Sequence, residues 1–180
     1  DDPRCANDFQ AKGDYTNGGV APVESTLTAW GLSAALEWEV NNEFMLKSIT
    51  AYRSTEWTGI RDADNTPLEL ITTDVASDSE QFSQEFQVLY ENDNLSGIAG
   101  LYYFDESSDD RLSIFLGFPP SPPVISSLLS GGPGTRDLQF IHLETESYAL
   151  FSEWAYTFSD DLSVSAGLRY TEDDKRFQGT

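Results

Sequence analysis

The side chains in this 180-residue sequence that could do chemistry are few and scattered. There is one histidine, His142, and one cysteine, Cys5. A nucleophilic relay needs a partner base and an orienting acid, and a histidine metal site needs several ligands. His142 has neither around it in the sequence and reads as a residue at the edge of a loop. A lone cysteine cannot close an internal disulfide. Cys5 is either a free thiol or half of a bridge whose partner lies elsewhere, and the unpaired reading is the simpler. Asp62, Asp64 and Asn65 follow the opening of a calcium-binding loop, but the glycine and the distal glutamate of that motif are missing. They read as a solvated acidic loop, as do Asp105, Glu106, Asp109 and Asp110. No phosphate-cradling glycine loop, cysteine pair or zinc helix motif occurs. The carboxylate pair of a glycoside hydrolase needs a defined separation, which a sequence cannot supply. The expectation is therefore no catalytic residue, no metal, no cofactor and no enzyme.

Composition narrows the partners. Ten Lys and Arg against 31 Asp and Glu leave a formal charge of −21. Such a chain repels phosphate backbones, so nucleic acid is excluded as a partner. Aromatics at 13% and hydrophobics at 39% exclude an acidic disordered segment. No stretch approaches the ~18–20 apolar residues of a membrane helix. The mean hydropathy of −0.39 is polar. That excludes a helical membrane protein but not a barrel, in which only alternate residues of each strand face lipid.

The elements that would position these residues are strands, recognised by period-two alternation between Asn, Asp, Gly and Ser turns. The clearest are Trp30–Val40, with Leu32, Ala34, Leu36, Trp38 and Val40 on one face, and Leu162–Phe177, with Leu162, Val164, Ala166, Leu168 and Tyr170 on one face. Weaker alternation predicts strands over about Phe44–Ile60, Glu80–Glu91, Leu95–Glu106 and Leu143–Phe158. Residues 1–29 read as an extracellular-type loop and 30–178 as the strand-bearing domain. Within that domain two polar stretches read as loops. Arg61–Ser77 holds Pro67. Ser107–His142 is longer and holds Pro119, Pro120, Pro122, Pro123 and Pro133, and prolines at that density cannot sit inside a sheet.

Short turns follow the first, third and fifth strands, and long loops follow the second and fourth. An up-and-down meander with short turns at one rim and long loops at the other is the pattern of an outer-membrane barrel. Tyr156 and Phe158 precede a short turn, and Tyr102, Tyr103 and Phe104 precede a long loop, at heights suited to interfacial aromatics. The expected fold is all-β: an antiparallel up-and-down meander of about six strands, part of a larger transmembrane β-barrel. The start at Asp1 and the strand pattern running out at Phe177 read as an internal piece of a longer chain.

Four runs, Leu46–Arg53 (LKSITAYR), Gln81–Phe86 (QFSQEF), Gly100–Phe104 (GLYYF, followed by Asp105 and Glu106) and Ala166–Lys175 (AGLRYTEDDK), resemble barrel strands of TonB-dependent receptors, in that family's order. The resemblance covers roughly Trp30 to Phe177. It implies an N-terminal plug and a TonB-contacting box outside these residues, and active uptake of a scarce nutrient across the outer membrane of a Gram-negative bacterium. It implies as partners outer-membrane lipid, a small-molecule nutrient and, through the plug alone, TonB. Iron chelates, cobalamin and saccharides all remain open as ligands. Two other readings compete: a porin or adhesin barrel without TonB, and a soluble β-rich domain using its aromatics as a carbohydrate platform.

Period two then sorts the side chains. Glu37, Glu39, Glu85, Glu153 and Arg169 fall on polar faces and are expected to face the lumen, where charge is ordinary and needs no special role. Leu32, Leu36, Trp38, Phe86, Leu150, Trp154, Tyr156, Val164, Leu168 and Tyr170 fall on apolar faces and are expected to face lipid.

Overall fold

The computed structural model describes residues 12–13, 16, 18–22, 24–117 and 135–180. Cys5 and the five prolines between 119 and 133 lie outside the described residues. Six strands form one antiparallel sheet: β1 (Glu24–Glu39), β2 (Phe44–Asp62), β3 (Ile71–Glu91), β4 (Leu95–Leu116), β5 (Thr135–Ser159) and β6 (Leu162–Gly179). Their spatial order is their sequence order, β1 to β6, with no crossover. The sheet is not closed on itself, and each strand packs only on its sequence neighbours. The predicted all-β meander is thus the architecture.

Among the described residues there is almost no core. Ala149 is the one buried hydrophobic residue, while Leu32, Leu36 and Leu168 are 73%, 74% and 80% exposed. A lone sheet layer buries too little apolar surface to stand alone in water.

Two of the three turns at one rim have a common cause. The Asn41 Oδ1 accepts from the backbone N–H of Glu43 and Phe44, both at 2.9 Å. The Asn92 Oδ1 accepts from Asn94 at 3.0 Å and Leu95 at 2.7 Å. In each, an asparagine side chain stands in for the backbone turn. The third turn, at Asp160 and Asp161, carries an irregularity between Thr157 and Ser159.

At the other rim the strands run well past their predicted limits. β1 starts at Glu24 rather than Trp30, β3 at Ile71 rather than Glu80, and β5 at Thr135 rather than Leu143; β4 ends at Leu116 rather than Glu106. Much of the predicted loops over Arg61–Ser77 and Ser107–His142 is therefore strand. The added segments carry polar residues on both faces, so they show no clean alternation to read. His142 correspondingly lies inside β5 rather than at a loop edge.

Candidate functional site: a wall with two faces

Cross-strand partners share a face of the sheet, so the register assigns every described strand side chain to one side or the other. The rows Leu36–Ser48–Phe86–Leu101–Leu150–Tyr170 and Trp38–Leu46–Val88–Ala99–Ser152–Leu168 run across all six strands on one face. The ten residues grouped as apolar by period two, from Leu32 to Tyr170, all lie on this face. Glu37, Glu39, Glu85, Glu153 and Arg169 all lie on the opposite one.

The apolar face has sharp limits. Toward the long loops an aromatic stands on this face of every strand, at Trp30, Tyr52, Phe82, Tyr103, Tyr148 and Tyr170; on β1 and β2 the uncharged Thr28, Thr26 and Ser54 follow it before the first acid. Trp30 and Tyr52 rings lie 5.3 Å apart, Phe82 and Tyr103 6.3 Å, and Tyr103 and Tyr148 5.0 Å. Just beyond them on the same face stand Glu80, Asp105, Glu146 and Glu172 on β3 to β6. Toward the short turns the limit is Trp38, Phe44, Tyr90, Leu95, Tyr156 and Leu162. On every strand the two limits enclose nine residues, the count a tilted membrane strand needs (~9–11).

The aromatic row also gives the tilt. Tyr170 pairs across the sheet, through Leu150, Leu101, Phe86 and Ser48, with Leu36, which lies six residues along β1 from Trp30. Six residues of ~3.3 Å against five strand spacings of ~4.8 Å make a slope of roughly 40°. Outer-membrane barrel strands tilt by ~35–45°.

Between the limits, none of the outward positions carries a charge, whereas the opposite face carries Glu37, Lys47, Glu85, Glu153 and Arg169. Polar groups on the apolar face pair with one another. Gln84, the residue that breaks the alternation of β3, accepts from the Thr50 hydroxyl and donates to Ser48 Oγ at 3.0 Å. The Trp154 indole N–H donates to Ser152 Oγ at 2.7 Å. Unpaired, each such group would cost several kcal/mol in hydrocarbon.

Over residues 3–180 the chain matches the family model described as TonB dependent receptor-like, beta-barrel. The chain belongs to this TonB-dependent receptor barrel family. No curated protein matches it. The family is one of transporters rather than enzymes, and its members stand in the outer membrane of Gram-negative bacteria and work with ligands and TonB.

On the charged face of this receptor wall, Lys47 Nζ meets Glu37 Oε1 at 2.7 Å across β1 and β2. The Arg169 guanidinium lies 5.7 Å from the Tyr102 ring centre and 5.8 Å from that of Phe151. Its Nε donates to Thr171 Oγ1 at 3.1 Å. Phe151 can lie flat there because its register partner is Gly100, where an added Cβ would come within 2.4 Å of the ring.

The acidic stretches are divided by the strand period. Asp105 and Asp109 lie on the outward face and Glu106 and Asp110 on the other. Asp62 and Asp64 accept hydrogen bonds from the surrounding loop backbone. Asp62 is 5% exposed and accepts from the N–H of Val20 at 2.8 Å, Ala21 at 3.1 Å and Asn65 at 2.7 Å. Asp64 accepts from Thr66 and, at 2.8 Å, from Ile71. Asn65 takes the left-handed conformation (φ 55°) that this tight loop needs. Sequence reasoning missed this clasp, because its other half lies 41 and 42 residues upstream.

Proposed function

We propose that this chain forms wall strands of an outer-membrane receptor that takes up a scarce small-molecule nutrient, such as an iron chelate, with energy delivered through TonB. Its uncharged face contacts lipid through the ten residues from Leu32 to Tyr170. The opposite face, with Glu37, Glu39, Glu85, Glu153 and Arg169, lines the lumen. The observation that carries this reading is an outward face that bears no charge over a nine-residue span of every strand, with an aromatic at one end of the span on all six. Hydrocarbon on one side and water on the other give a physical reason for that division. The wall contributes positioning rather than catalysis. Its loops meet the nutrient outside, its lumen face guides it, and TonB acts through a plug.

The test is energised uptake by cells producing or lacking the receptor, using radiolabelled ferric chelates, cobalamin and maltodextrin as probes. One probe should accumulate only when the receptor, TonB and the proton-motive force are all present. Uptake that is unaffected by an uncoupler and by loss of TonB would assign the wall to a passive porin instead.

A further inference from the structure

The inference rests on the transport reading above and concerns what the lumen wall can hold. A bay of about 660 Å³ opens along β1 to β4. Its floor on the lumen side is Gly31, Ser33, Ala51 and Ser83. The last three pair in a single cross-strand row with Phe104. These side chains are too small to fill the space, and the rings of Tyr102 and Phe104 wall it on β4.

Arg53 stands at the rim of this bay. It sits on an interior strand between Gly31 and Gln81, so both of its neighbouring strands are in place. Among the described residues no carboxylate lies within ion-pair distance of it. The acid in its row, Glu106, is two strands away and already occupied, accepting from Gln81 Nε2 at 2.7 Å and Ser79 Oγ at 3.1 Å. Most cations of the described strands share this face with the acids Glu37, Glu39, Glu85, Glu91, Glu106, Asp110, Glu153 and Asp173. Lys47, Arg53, Arg61, Arg169 and Lys175 face the lumen, while Arg111 and Arg176 face outward.

A guanidinium with free donors binds a planar carboxylate through two parallel hydrogen bonds. An aromatic wall above a floor of small side chains accepts a flat ring. We propose that this bay is a subsite for an aromatic carboxylate group of the transported ligand, with Arg53 binding the carboxylate and Tyr102 and Phe104 stacking the ring. These 180 residues carry a formal charge of −21, which repels an anionic ligand at long range. A local cation on the lumen side is what would make such a ligand's passage selective.

The experiment uses the full-length receptor in lipid nanodiscs, with salicylate as the probe and saturation-transfer NMR as the readout. Benzyl alcohol keeps a ring without the charge, and cyclohexanecarboxylate keeps the charge without an aromatic ring. Salicylate should bind, and both controls should bind at least about tenfold more weakly. Arg53→Gln should weaken salicylate by about tenfold or more, the scale of a lost charge-assisted pair. Phe104→Leu should weaken it less, and Arg111→Gln, on the outward face, should leave it unchanged. Folding of each variant is checked by the mobility shift between unboiled and boiled samples. Should Arg53→Gln fail to fold, Arg53→Lys and Phe104→Leu carry the comparison. Salicylate that does not bind the wild-type receptor, or binds with equal strength after substitution at Arg53 and Phe104, overturns the subsite. Energised uptake that persists in that case leaves the transport reading standing, and loss of energised uptake in the parallel assay would remove the transport reading itself.

Discussion

His142 shows how far a residue's surroundings can depart from its sequence neighbourhood. Its Nδ1 lies 2.7 Å from Asp109 Oδ1 on the adjacent strand, and its Nε2 lies 3.5 Å from Glu144 Oε1. It stands six residues beyond Tyr148, outside the aromatic limit of the band. The hydrogen bond to Asp109, then that to Glu144, raises its pKa above the ordinary histidine value, against a smaller opposing effect of burial. Because the folded value is the higher one, the stabilisation is fully present below the unfolded pKa of ~6.5 and is lost as pH rises through the folded pKa. An NMR titration of the His142 ring should find its midpoint above that of free histidine, and Asp109→Asn should lower it. A midpoint unchanged by that substitution would show that the contact does not persist in solution. Asp62 has the opposite sign. Burial alone would raise its pKa, but the amides of Ala21, Asn65 and Val20 outweigh burial and hold the carboxyl below its usual value. Its contribution is present above the unfolded pKa and lost as pH falls through the folded one. Asp62→Ala should cost the clasp about 1–3 kcal/mol, seen as faster amide hydrogen exchange at Val20 and Ala21.

At the scale of the strand, the band dictates which substitutions matter. Phe86 is at the midpoint of its strand's nine residues on the uncharged face, and Gln87 is next to it on the other. Phe86→Arg should cost about 2–4 kcal/mol, the penalty for a guanidinium at mid-bilayer, while Gln87→Arg should change stability by less than about 1 kcal/mol. Urea titration of the receptor refolded into lipid vesicles measures both. Equal costs at the two positions would remove the distinction between the faces. The same band explains what the sequence disclosed. Between Trp30 and Trp38, and between Leu162 and Tyr170, one face is apolar and the other mostly small or polar, so alternation is plain. Beyond Tyr103 and Tyr148 both faces carry polar and acidic residues, and the outer parts of β4 and β5 read as loop. Tyr102, Tyr103 and Phe104 therefore mark the limit of the apolar band and not the end of a strand. Gln84 reads as a flaw in β3, because its partners Ser48 and Thr50 lie on β2 and only the register brings them together. The lumen bay is illegible in the sequence for the same reason: Ser33, Ala51, Ser83 and Phe104 come from four strands.

For the whole molecule, the division of charge decides where the wall can exist. One face is uncharged across the band and acidic just past its aromatic limit on four strands, and the opposite face carries charge of both signs. In water the uncharged face would remain exposed, with Leu101 and Leu150 each at 58% and Phe86 at 55%. The outer edges of β1 and β6 have no partner strand within the described sheet. Exposed apolar surface and open edges together drive association. Residues 1–180 produced alone should therefore aggregate in detergent-free buffer, with no cooperative melting transition. Addition of a detergent above its micelle concentration should suppress the aggregation by covering the uncharged face, although the edges stay open. In the intact receptor, where both edges are paired, polarised infrared spectroscopy of oriented bilayers should give a strand tilt near 40°, the slope of the aromatic row. A fragment that stays monomeric and melts cooperatively without detergent would require its leucine and aromatic rows to be packed against protein, and the division into lipid and lumen faces would then fail.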